Sequence, residues 1–164
     1  MIRLKIIYHC FGGSHSSVTA AAIHVGILPV DRIPTREQLE QVPYFDRQVN
    51  KDHGHLRLMG IDEYDNEIYI IGRRNTHKEF ESIIMNLAEL FEFADDIHLV
   101  NCMPYVNWKM VVGGYTSRRL KLVSIGRPII VKGVQYSYLK IASLVQNVKV
   151  QIAAANKKNI TRNL

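Results

Sequence analysis

Apolar residues at Leu4, Ile6 and Ile7 predict a short opening strand. The next stretch, His9 to Ser16, is small and polar. Ser16 or Ser17 can cap a helix that runs through Val18, Ala21, Ala22 and Val25 to Gly26. After Pro29 the pattern is irregular, except that Thr35 and Gln38 have capping-box spacing for a short helix ending at Gln41, before Pro43. Apolar and polar positions alternate from His55 to Ile61, Tyr64-Asp65-Asn66 reads as a turn, and EIYIIG over 67–72 returns as the second strand of a hairpin. Thr76 and Glu79 predict another capping box, ahead of a helix with Phe80, Ile83, Ile84, Leu87, Leu90 and Phe91 on one face. Ile97 to Val100 reads as a strand. Tyr105 to Leu122 reads as a helix, although Gly113 and Gly114 inside it would each cost about 1 kcal/mol relative to alanine. Gly126-Arg127-Pro128 predicts a turn into a last strand, Ile129-Ile130-Val131. Ile141, Leu144, Val145, Val148 and Ile152 then recur at helical spacing, before a basic tail over 157–164 that is expected to fray.

Strands separated by helices of this length imply right-handed crossovers. The expected fold is therefore a single three-layer α/β/α domain over 1–156. Its sheet is mainly parallel, with about four parallel strands and one antiparallel hairpin strand. At 164 residues, 47% of them hydrophobic, the chain is long enough to bury a core. No apolar run reaches the roughly 18–20 residues of a membrane span, and no secretory leader is recognisable, so the expectation is a cytoplasmic protein with no membrane partner. Two cysteines, Cys10 and Cys102, make no disulfide framework and should be free thiols. The net charge of +6 changes the picture only by favouring anionic partners, from a small molecule to RNA.

In open α/β sheets, ligands bind at the carboxyl ends of the strands. Those ends carry His9 and Cys10, then Gly72-Arg73-Arg74-Asn75, then Asn101-Cys102, and last Lys132-Gly133. A glycine-rich strand-to-helix loop offers backbone N–H groups and a helix dipole to an anion, and arginine and lysine add charge. The candidate ligand-binding set is thus His9, Phe11, Gly12, Gly13, Ser14, Ser16, Ser17, Arg73, Arg74, Asn101 and Lys132, with Cys10 as candidate nucleophile and His15 as proton carrier. Phosphate or a nucleotide would be the ligand, and no other cofactor is expected. His53 and His55 alone make no complete metal site; Asp52, Asp62 or Asp65 could contribute a ligand, but the favoured reading is exposed polar residues at the start of the hairpin, and no metal is expected. Tyr105 and Trp108 beside Lys109 have the makeup of a base-stacking group, but their helical spacing favours a place in the core.

The loop resembles three kinds of phosphate loop, each with a departure. Against nucleotide triphosphatases, Ser14-His15-Ser16 stands where Gly-Lys-Ser/Thr would be. Against low-molecular-weight tyrosine phosphatases, the strand–Cys–x–Gly start is similar, but Ser16 occupies the arginine position and no Asp-Pro pair is present. Cys10-x-x-Gly13-x-x-Ser16-Ser17 is similar to the loop of the sugar phosphotransferase-system B components, in which a cysteine is transiently phosphorylated. Taken whole, the opening KIIYHCFGGSHSSVTAAAIHVGILP resembles a small domain family of unknown function from spore-forming Firmicutes, a resemblance that implies no particular activity. The expected function is binding of a phosphate-bearing small molecule at the loop, with phosphoryl transfer through Cys10 if the domain is an enzyme. The alternatives are a non-catalytic regulatory or scaffold protein and RNA binding by the basic surface. The oligomeric state is left open.

Overall fold

β1 (Lys5–Cys10) is the axis of the sheet, parallel to β3 (Glu67–Gly72) on one side and to β4 (Ile97–Asn101) on the other. β2 (Arg57–Ile61) adds antiparallel to the outer edge of β3, giving the order β2-β3-β1-β4. The computed structural model describes residues 3–162, and for Asn50, His77, Lys78 and 156–162 the backbone alone. The tail over 157–164 therefore lies entirely outside the residues described in full. The expected mixed α/β class, with a mainly parallel sheet and one antiparallel hairpin strand, is the one observed.

Side chains alternate across β1. Ile6, Tyr8 and Cys10 belong to the main core, where α1 (Ser16–His24) and the long α5 (Val123–Arg162) pack, whereas His9 faces Phe80 of α3 (His77–Leu90). Every residue of α1 is buried, and Ala20, Ala21 and Ala22 let it approach its neighbours without an amphipathic stripe. The apolar line read on α3 is only partly used. Phe80, Ile84 and Ala88 are the less exposed residues, while Ile83, Leu87, Leu90 and Phe91 remain exposed.

The last third of the chain departs most from the sequence reading. Ile129-Ile130-Val131 is helix, part of α5, so the sheet has four strands in all. Ile130, Val134, Tyr138, Ile141, Val145, Val148 and Ile152 are buried at steps of three and four, and this helical face overrides the β-branched run. Pro128 lies inside the helix, in its second turn. The helix expected over 105–122 is α4 (Trp108–Gly114) continued by a π-helical turn (Tyr115–Arg119). The glycines where it meets α5 have a packing cause: a Cβ on Gly113 would lie 2.8 Å from Ile130, and one on Gly126 of α5 would lie 2.6 Å from the Gly113 carbonyl. α4 and α5 therefore touch backbone to backbone.

Of the two capping boxes, that of Thr35 and Gln38 forms at the start of α2 (Arg36–Gln41). Thr76 precedes α3 but makes no cap with its side chain; its hydroxyl donates instead to the Arg73 carbonyl. Ser16 and Ser17 are the first residues of α1, and the capping position falls on His15, again without a side-chain cap.

Candidate functional site

β1 leaves the sheet at Cys10 and turns into α1 by way of Gly13, at φ +64°. A Cβ on Gly13 would stand 2.6 Å from the Gly72 amide nitrogen, and one on Gly72 would stand 2.6 Å from the Gly12 carbonyl oxygen. Only glycines permit this approach of the first loop to the end of β3. The contact is extended by the Arg73 and Arg74 N–H groups, which donate to the carbonyls of Cys10 and Phe11 at 3.0 and 2.9 Å. On the other side the Cys102 N–H donates to the His9 carbonyl at 2.9 Å. α1 packs on one face of the sheet and α3 on the other, and the connection from β3 passes β1 to reach β4 on its far side, so the strand order reverses at β1, whose carboxyl end is where ligands sit in open α/β sheets.

Inside the turn, the Cys10 sulfur accepts the Gly13 N–H at 3.1 Å and lies 3.2 Å from the Ser17 hydroxyl. The sulfur is thus held at the N-terminus of α1 by one backbone amide and one hydroxyl, on the path from β1 into the helix. Ser14, Ser16 and Ser17 are buried, and the Ser16 hydroxyl has no hydrogen-bond partner. Phe11 stands exposed at the rim, its N–H donating to the Met103 sulfur. The other thiol, Cys102, is fully buried, and burial pushes its pKa well up, with Cys10 adding to the effect.

The strand ends come together as backbone, but their side chains divide between the two faces. Arg73 turns away from Cys10: its Nε donates to His9 Nδ1 at 3.2 Å, its guanidinium is buried, and its Nη1 has no partner. Burial, with the Arg73 charge next, lowers the His9 pKa to about 4. Neutral His9 then carries its proton on Nε2, which lies 3.2 Å from a Glu81 oxygen without the alignment of a hydrogen bond. Asn101 accepts the Met103 N–H and shapes its own turn, away from the loop. Lys132 is on α5, not at a strand end, and lines a groove with Pro34, Lys109 and Tyr136, none of which belongs to the loop.

What gathers on the Cys10 side is a group that sequence reasoning missed. Asp46, fully buried, donates its N–H to the Ser14 carbonyl at 3.1 Å, which fastens the segment after α2 to the loop. Its carboxylate lies 3.3 Å from His15 Nε2, accepts from the Ser117 hydroxyl at 2.7 Å, from Arg118 Nη2 at 3.4 Å and from Arg127 Nε at 3.2 Å, and has Arg118 Nε in ion-pair contact at 3.0 Å. Burial alone would raise its pKa; the bonds from His15 and Ser117 and the Arg118 charge outweigh that and hold it below the usual carboxylate range. Two arginines against one carboxylate leave one surplus positive charge, fixed beside the residue that precedes α1. Asp46 is separated from Arg118 and Arg127 by 72 and 81 residues and sits in an irregular segment, so no local spacing pointed to it.

Among the described residues no group of three or more His, Cys, Asp or Glu side chains could hold a metal ion, and no helix is long and apolar enough to cross a membrane. A family model described as "Protein of unknown function (DUF3189)" matches residues 5–150. No curated protein and no solved structure matches the chain.

Proposed function

We propose, from the premise that the chain belongs to the DUF3189 family of proteins of unknown function, that the domain binds a phosphate-bearing small molecule over the His9–Ser17 loop. The observation that carries this reading is the Cys10 sulfur, held by the Gly13 amide and the Ser17 hydroxyl at the N-terminus of α1. An anion there is favoured by the helix dipole and by first-turn N–H groups. The role that the sequence reading gave to Arg73, Arg74 and Lys132 passes to Arg118 and Arg127, whose forks are fixed by Asp46 and whose charge it half neutralises. Arg73, with an unpartnered Nη1 behind the loop, adds longer-range positive potential.

In the catalytic form of this reading, Cys10 gives its thiol proton to His15 and the resulting thiolate attacks phosphorus. The S–P bond forms as the P–O bond to the leaving group breaks, and His15, oriented by Asp46, returns a proton to the leaving oxygen. Water or an acceptor hydroxyl then takes the phosphoryl group from sulfur. The reading suits a cytoplasmic protein, where the thiol stays reduced.

A second reading is favoured by the backbone contact of Gly13 with Gly72: a non-catalytic domain in which the loop is only a close-packed connection. Thermal melting against inorganic phosphate, sulfate and sugar phosphates separates the two. Binding to the native state at a hundred times Kd stabilises by about 2.7 kcal/mol, a clear rise in Tm. The rise should be lost in Arg118→Gln/Arg127→Gln. Cys10→Ser should keep the rise and lose any hydrolysis of an aryl phosphate. No shift with any of these anions would leave only the scaffold reading.

A further inference from the structure

We infer that a second site, independent of the loop, binds single-stranded nucleic acid along the junction of α4 and α5. A groove of about 550 Å³ lies there, between Ile33 and Pro34 on one wall and Lys109, Lys132 and Tyr136 on the other. Its walls are fixed by hydrogen bonds that cross it or brace it. Gln135 donates to the Pro34 carbonyl at 2.9 Å, and Asn107 donates to the Gly133 carbonyl at 2.7 Å and the Ser137 hydroxyl at 2.9 Å.

Two aromatic rings stand in solvent at this place. Trp108 is 68% exposed and Tyr136 75% exposed, against the core position that the spacing of Tyr105 and Trp108 suggested for Trp108. The Lys109 ammonium lies 5.9 Å from the Trp108 ring centroid and 5.8 Å from that of Tyr136, so one cation is shared by two ring faces. Lys132, Tyr136 and Lys140 follow at four-residue steps on α5, about 6 Å apart along its axis. Among the described residues Lys109, Lys132 and Lys140 form no ion pair with a carboxylate.

Three unpaired ammonium groups call for a polyanion, and open rings between them call for flat groups to stack on. A single strand of nucleic acid supplies both at a similar repeat, phosphate and unpaired base. An acidic peptide would answer the lysines and leave the rings idle. A duplex would keep its bases out of reach. Stacking with no groups arranged to read base edges implies little preference for base sequence.

Trp108 is the sole tryptophan of the chain, so its fluorescence reports on the site directly. The full protein is titrated with a uridine dodecamer, with polyglutamate and with inorganic phosphate. The expected result is quenching by the dodecamer alone, with a log–log salt slope of about −2 for three phosphate contacts. Lys132→Ala should reduce that slope by about 0.7, and Tyr136→Ala should weaken binding about tenfold. Both side chains are exposed, so both variants should keep the parent Tm. Absence of quenching, equal quenching by polyglutamate or by inorganic phosphate, or binding untouched by both variants would each overturn the assignment.

Discussion

Single residues decide whether the first loop can exist. Gly12 and Gly13 are adjacent and alike in sequence, yet a Cβ on Gly12 meets nothing within 4 Å, while one on Gly13 meets the Gly72 backbone at a positive φ. Gly13→Ala should therefore cost roughly 3 kcal/mol in urea unfolding and Gly12→Ala less than about 0.5 kcal/mol. Equal effects at the two positions would contradict the close contact. The sequence carried the loop's identity, because Cys10, Gly13, Ser16 and Ser17 are near neighbours. It carried nothing of Asp46, since a buried carboxylate is recognisable only through partners that the fold brings from 70 or more residues away.

At the scale of elements, Asp46 joins an irregular segment to the α4–α5 hairpin. Asp46→Asn should keep the shape but leave Arg118 and Arg127 without their countercharge. Both arginines are about a quarter exposed, which screens part of the loss, so about 2 kcal/mol is expected instead of the larger cost of breaking a fully buried pair. Hydrogen exchange should quicken first in the Tyr115–Arg119 turn, and unchanged protection there would count against the staple. The sheet was legible up to β4 because each strand there is bounded by turn residues and its apolar run has the right length. Beyond it, Ile129-Ile130-Val131 offered strand propensity, and the face starting at Ile130 decided for helix. That face could have been read back from Ile141 through Tyr138 and Val134; Gly126-Arg127-Pro128 masked it, although Gly126 is there to let α4 approach.

The whole molecule has an acid sensitivity built from two buried imidazoles. His24 accepts from the Tyr8 hydroxyl at 2.7 Å and lies 3.2 Å from Asp62; burial chiefly, with Lys149 adding, lowers its pKa to about 4, as burial and Arg73 do for His9. Well above pH 6.5 both are neutral folded or unfolded and contribute nothing to the pH dependence. Between about 6.5 and 4 the unfolded chain takes up the protons that the folded one refuses, so stability falls, by roughly 3 kcal/mol per histidine at pH 4. Asp46 and Asp62, whose pKa values are lowered, give stability that is present at neutral pH and disappears only below the usual carboxylate range. Urea midpoints should thus decline steadily from pH 7 to 4.5, and a level profile down to pH 5 would refute the burial of both rings as neutral groups. The central place of β1 has a different consequence, for synthesis on the ribosome. β1 is translated before the strands that flank it, β3 and β4, which pair with Lys5 at Glu67 and Ile97, and α1 receives its cover from a helix that begins only at Val123. The alanine-rich helix and the middle of the sheet must wait, uncovered, until the residues from Val123 onward are translated. A ribosome stalled before Val123 would hold a sticky half-domain, a natural client for chaperones that bind nascent chains.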